Sequence, residues 1–157
     1  AGIEHHQSSD NRLGELALVK AAERRAAATL FPHEFVHSWN GKFRRPADMI
    51  VGDYQLPQQT RLLWVYEGLT NYLGWLLAAR SGLLSPDDAR EYLAMTAARM
   101  TNSRGRAWRP LADTAAAASV LFDAPRSWAS SRRAVDFYDE GTLLWLDVDV
   151  TIRTNTK

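Results

Sequence analysis

Residues 62–79 form a nearly unbroken apolar run that carries one acid, Glu67. Leu62, Leu63, Trp64 and Val65 precede it, and Leu69 and Leu73 follow. Such a run, closed by Arg80 and Gly82, predicts a buried helix. An ionised carboxylate inside that helix is costly to bury unless a positive partner holds it. The chain must therefore fold so that something cationic meets Glu67. An arginine such as Arg44 or Arg61 could serve, and so could a metal ion.

The metal alternative has a second part in the sequence. Pro32-His33-Glu34-Phe35-Val36-His37 contains an H-E-x-x-H pentad. On a helix, His33 and His37 lie one turn apart on one face, with Glu34 beside them. Two imidazoles at that spacing can bind zinc, and the adjacent carboxylate can accept a proton from water. These are two of only four histidines in the chain. The pentad alone also arises by accident, on a helix with two surface histidines. Glu67, reached by a loop and an antiparallel return helix, would be the third ligand. Two His and one Glu leave the open position of a catalytic zinc site. Thr70 and Asn71 fall on the Glu67 face, where either could hydrogen-bond the far nitrogen of a ligand imidazole.

The remaining chain narrows the class. Its 157 residues suit one domain or a piece of a larger one, and 46% hydrophobic with 24% charged residues is ordinary globular composition. A net charge of +1 offers no basic field for nucleic acid. Cysteine is absent, so any metal is held by nitrogen and oxygen. No apolar run reaches membrane-spanning length, and the compartment stays open between periplasmic or secreted and cytoplasmic. Without an initiator Met, and ending directly after an apolar segment, the chain is expected to be a fragment of a longer protein.

Local patterns predict a helix over residues 13–28, where Lys20, Glu23 and Arg24 share a solvent face. Pro32 either kinks that helix or starts a new one, and residues 33–39 are helical in both cases, ending at Asn40-Gly41. Residues 41–60 read as a long connection. Ser85-Pro86-Asp87-Asp88 opens another helix with a capping serine and first-turn acids, running to about Asn102. An alanine-rich segment spans 113–121 and a loop 122–134. A last helix is expected over about 135–153, with a strand over 146–152 as the minor alternative. Taken alone, Glu4 is a surface acid, His5 and His6 are loop residues, and Tyr138 is a core or capping aromatic.

Together, Gly2-Ile3-Glu4-His5, His33 to Asn40, Arg45-Pro46, Leu62 to Gly68 and Tyr138-Asp139-Glu140-Gly141 resemble the M61 family. These are glycyl aminopeptidase-like zinc metallopeptidases of the gluzincin group, and the resemblance covers essentially the whole chain. It implies a mainly α fold: a thermolysin-like catalytic domain, truncated so that most of its β-sheet lobe is missing. Residues 1–157 would then be a partial catalytic domain of a protein whose relatives also carry a PDZ-like domain. The resemblance further implies Zn2+ held by His33, His37 and Glu67, with Glu34 as general base. Glu4 would hold a peptide's free amino terminus and Tyr138 would stabilise the oxyanion. The implied reaction is removal of amino-terminal residues, small ones such as Gly or Ala. The alternatives are a zinc endopeptidase, or a non-catalytic fragment with an incomplete site. Oligomeric state is left open. The chain departs from the family pattern at Ala1, Pro32 and Asp139-Glu140, none of them a ligand or the base. The acidic pair is expected to raise the Tyr138 pKa.

Overall fold

The structure, a computed structural model, describes residues 1–121 and 127–156. It is mainly helical. The chain begins with a two-stranded antiparallel hairpin, β1 (Gly2–Glu4) and β2 (Ser9–Asn11), in which Ile3 faces Asp10. Helices α1 (Ala21–Ala27) and α2 (Leu30–Val36) follow, then a connection holding one 3-10 turn at Ala47–Met49. Next come the long helices α3 (Leu63–Arg80) and α4 (Pro86–Thr101). A 3-10 turn at Arg104–Ala107 leads to the short helices α5 (Leu111–Ala116), α6 (Ala118–Leu121) and α7 (Ala129–Arg132). Helix α8 (Asp139–Asn155) closes the chain. Among the described residues, no helix is long and apolar enough to cross a membrane.

Helix α3 is the centre of the packing, with α2 on one side and α8 on another. Two glycines make the second contact possible. A Cβ on Gly68 would stand 2.8 Å from the Phe137 carbonyl oxygen and 2.9 Å from Gly141 Cα. A Cβ on Gly141 would stand 2.7 Å from Gly68 Cα. The helices therefore cross backbone against backbone, beside Glu67 on one helix and at the first turn of the other. Stacked Trp64 and Trp145 and the bond from Tyr72 Oη to Asp149 (2.7 Å) continue the α3–α8 contact. Phe137, fully buried, anchors the chain entering α8 against Ala115 and Ala118. A second small core joins Ala28 and Ala78 to Leu84 and Ala89.

Several expectations need correction. The helix expected over 13–28 starts only at Ala21. Residues 14–20 form turns, with Leu18 and Val19 exposed. A helical turn without a packed face is marginal whatever its composition. Pro32 neither kinks a continuous helix nor opens α2. It is the third residue of α2, still within the first turn, where its missing N–H has no intrahelical partner to lose. Beyond Val36 the chain winds on through a turn, with Asn40 N–H bonded to the Val36 carbonyl at 3.0 Å. Gly41, at φ 144°, then turns it away. The last helix begins at Asp139, because residues 135–138 form a turn, and residues 146–152 lie within that helix. Of the loop expected over 122–134, positions 122–126 lie outside the described residues, and positions 129–132 are helical. The Ser85 cap is present, its hydroxyl accepting from Asp88 N–H at 3.1 Å.

Candidate active site

The packing of α2 on α3 brings His33, His37 and Glu67 together. His33 Nε2 and His37 Nε2 are 3.1 Å apart, and Glu67 Oε2 lies 3.3 Å from the first and 3.5 Å from the second. Neither Arg44 nor Arg61 meets Glu67; the two imidazoles do. Three donor atoms at the corners of a tetrahedron with metal bonds of about 2.0–2.1 Å would be separated by about 3.3–3.4 Å. The observed separations bracket that value.

Protons alone satisfy this cluster poorly. A proton shared between the two Nε2 atoms leaves the carboxylate oxygen facing them. Glu67 Oε2 is buried 3.3 and 3.5 Å from the two imidazole nitrogens, without a well-formed hydrogen bond. A single cation would engage all three lone pairs at once, so these residues fit a zinc ion. The electrostatics point the same way. Burial opposes charge on Glu67, yet the neighbouring His33 and His37 bring its pKa down to about 2. Burial likewise opposes a charged His37, and the Glu67 carboxylate raises its pKa on balance.

Glu34 projects beside the trio. It is buried against β1, where a Cβ on Gly2 would displace its carboxylate. Burial raises the Glu34 pKa, with Glu4 and Glu67 adding to it and the two histidines opposing. Glu34, His33, Asn71 and Tyr138 border a cleft of about 700 Å³ that continues past Gly2 to Arg12 and Glu23. Glu4, at the end of β1, lies outside that lining, with Glu34 and His37 within 4.8 Å among their ligand-type atoms. Its Oε1 accepts from Tyr66 Oη at 2.6 Å and meets Lys42 Nζ at 3.3 Å. Burial opposes its charge, but the Tyr66 bond, with help from His37 and Lys42, holds its pKa below the usual value.

The Tyr138 ring is 6.2 Å from the His33 ring, at the turn that enters α8. The sequence model of the M61 glycyl aminopeptidase family matches residues 26–144. The chain belongs to that family. Comparison with curated proteins finds no match. The matched segment contains His33, Glu34, His37, Glu67 and Tyr138, while Glu4 precedes it. Membership makes this a peptidase chain, whose class of substrate is peptide.

The acidic pair after Tyr138 is turned elsewhere. Asp139 accepts from Arg99 at 3.0 and 3.1 Å, and Glu140 pairs with Arg106 and the buried Arg133. The Tyr138 pKa is raised first by burial and then by Glu67, Glu34 and Glu4 across the cleft. The phenol thus stays protonated and able to donate. Of the two residues expected to support the imidazoles, Thr70 comes within 3.4 Å of His37 Nδ1. Asn71 instead donates to Thr142 Oγ1 at 2.8 Å, tying α3 to α8.

The nearer partner of His37 Nδ1 was not expected: it is the backbone carbonyl of Asn40, at 3.0 Å. Tyr66, Lys42 and Arg133 were also missed as supports. Tyr66 carried a signal, being next to Glu67 in the apolar run. Arg133 carried none, because a cation within the Arg132-Arg133 pair reads as solvated.

Proposed function

We propose that this chain carries the catalytic centre of a zinc-dependent peptidase acting on amino-terminal residues. His33, His37 and Glu67 would hold the metal. The observation that carries this reading is the trio itself: three donor atoms at 3.1–3.5 Å, with a buried carboxylate oxygen that no hydrogen bond satisfies. When bound, zinc acidifies water and polarises a carbonyl. Glu34, its pKa raised by burial, accepts the proton of the attacking water and delivers it to the leaving amine. Tyr138, kept protonated, donates to the oxygen that becomes negative. Glu4, held as a carboxylate by Tyr66 and Lys42, pairs with the substrate's ammonium group.

We further propose that residues 1–157 are part of a thermolysin-like domain whose sheet packs on the outer side of α2. The exposure of Phe35, Trp39 and Phe43 supports this. A preference for Gly or Ala at the amino terminus rests on the family alone.

Hydrolysis of amino-free and amino-blocked peptides by the wild type and by Glu34→Gln tests the reading. The expected outcome is cleavage of free peptides only, reduced about 10²- to 10⁴-fold by the substitution. Cleavage of blocked peptides would favour the endopeptidase alternative, in which Glu4 is structural. Undiminished hydrolysis by Glu34→Gln would remove the general-base assignment.

A further inference from the structure

Asn40, which has no part in the proposed reaction, links His37 to the turn of α3 that precedes Glu67. Its backbone carbonyl faces His37 Nδ1 at 3.0 Å. Its side-chain nitrogen lies 2.9 Å from the carbonyl oxygens of Val65 and Tyr66 and from Thr70 Oγ1, three acceptors that share its two protons. Val65 and Tyr66 are the two residues immediately before Glu67, in the first turn of α3. Carbonyl oxygens only accept, so the amide nitrogen must face them and the amide oxygen cannot. Thr70 directs its own proton to the Tyr66 carbonyl at 2.6 Å, which leaves its oxygen to accept from Asn40. Asn40 is itself fixed to α2 by its N–H bond to the Val36 carbonyl.

We propose that Asn40 is a positioning residue for the metal site. It holds His37 in the Nδ1-protonated form and pins the first turn of α3, so that Glu67 meets the two imidazoles. A carbonyl opposite Nδ1 requires the proton on that nitrogen. His37 Nε2 is then left with its lone pair directed at His33 Nε2 and Glu67 Oε2. The pentad and Glu67 sit on different helices, joined by a connection of irregular backbone. The amide of Asn40 bridges that gap next to both, and it acts without touching substrate or metal. The inference deepens the zinc reading above and rests on it.

The test is zinc titration of metal-free protein against a chromophoric chelator, comparing wild type with Asn40→Asp and Asn40→Ala. The aspartate keeps the shape but sets an acceptor against two carbonyl oxygens. The alanine deletes the donor without adding charge, and so serves if the aspartate variant does not fold. Zinc affinity is expected to fall about 10- to 100-fold, as for loss of other groups that orient metal ligands. In a Glu67→Ala background the same substitutions should lose most of that effect, whereas a purely structural role would lower thermal stability equally in both backgrounds. Unchanged zinc affinity in folded Asn40→Ala would overturn the proposal. A wild type that binds no zinc would overturn the zinc reading and this inference together; one that binds zinc with no regard to Asn40 would overturn only this one.

Discussion

Replacing Gly68 by alanine should separate α3 from α8 at the point where the site is assembled. The added methyl would stand 2.8 Å from the Phe137 carbonyl oxygen and 2.9 Å from Gly141 Cα. Carbon atoms pack best at about 3.5–4.0 Å, so the helices must part by about 0.6–1 Å. Both obstacles are backbone, and no side-chain rotation can relieve them. Overpacking of this kind costs about 1–3 kcal/mol. Alanine returns about 1 kcal/mol of helix propensity relative to glycine. With rigid obstacles the cost lies toward the upper part of its range, leaving a net loss of about 1–2 kcal/mol. For a chain of this size that lowers the midpoint of thermal unfolding by about 2–8 °C. The functional consequence should be uneven. Tyr138 enters α8 and moves with it, whereas His33 and His37 on α2 keep their packing against α3. Thermal unfolding monitored by circular dichroism, with kcat and zinc affinity measured alongside, should show lower stability and a larger loss in kcat than in zinc affinity. A Gly68→Ala protein more stable than wild type would refute the helix crossing described here.

Other outcomes follow from the same geometry. Tyr138→Phe should lower kcat about 10²- to 10³-fold with little change in KM or zinc content, as for loss of one oxyanion donor; unchanged kcat would remove Tyr138 from the reaction. The Glu67 pKa of about 2 lies below its ordinary 4.5, so the stability it contributes is fully present above pH 4.5 and is lost as pH falls toward 2. Acid unfolding of metal-free Glu67→Gln, followed by circular dichroism, should therefore be flatter than wild type across that window. An identical pH profile would contradict the depressed pKa.

The site was legible in the sequence where one residue type imposed a strong physical demand. Glu67 in an apolar run required a cationic partner, and the pentad supplied a candidate by spacing alone. The Ser85 cap and the length of α3 were equally direct, because capping and apolar content are local properties. What the sequence did not disclose depends on which surfaces meet. Residues 13–28 have helical composition, yet Leu18 and Val19 stay exposed and the first residues form turns in place of a continuous helix. Arg133 looks like a surface cation and is buried, its guanidinium bonded to Asp136, Glu140 and the Arg109 carbonyl. Asn40 looks like a helix terminator, yet α2 ends at Val36 and Asn40 lies in the turn beyond it. Its amide finds the start of α3 only because Gly41 turns the chain beside Tyr66, where a Cβ would lie 2.7 Å from the phenol oxygen.

If the proposed function holds, His33, His37 and Glu67 form one metal site. The most direct test is zinc content per chain after equilibration with excess zinc and removal of the free ion, for wild type and Glu67→Ala. The prediction is one zinc per wild-type chain and loss of most of it in the variant, with the helical circular dichroism retained. Stoichiometric zinc in folded Glu67→Ala, or none in folded wild type, would contradict it.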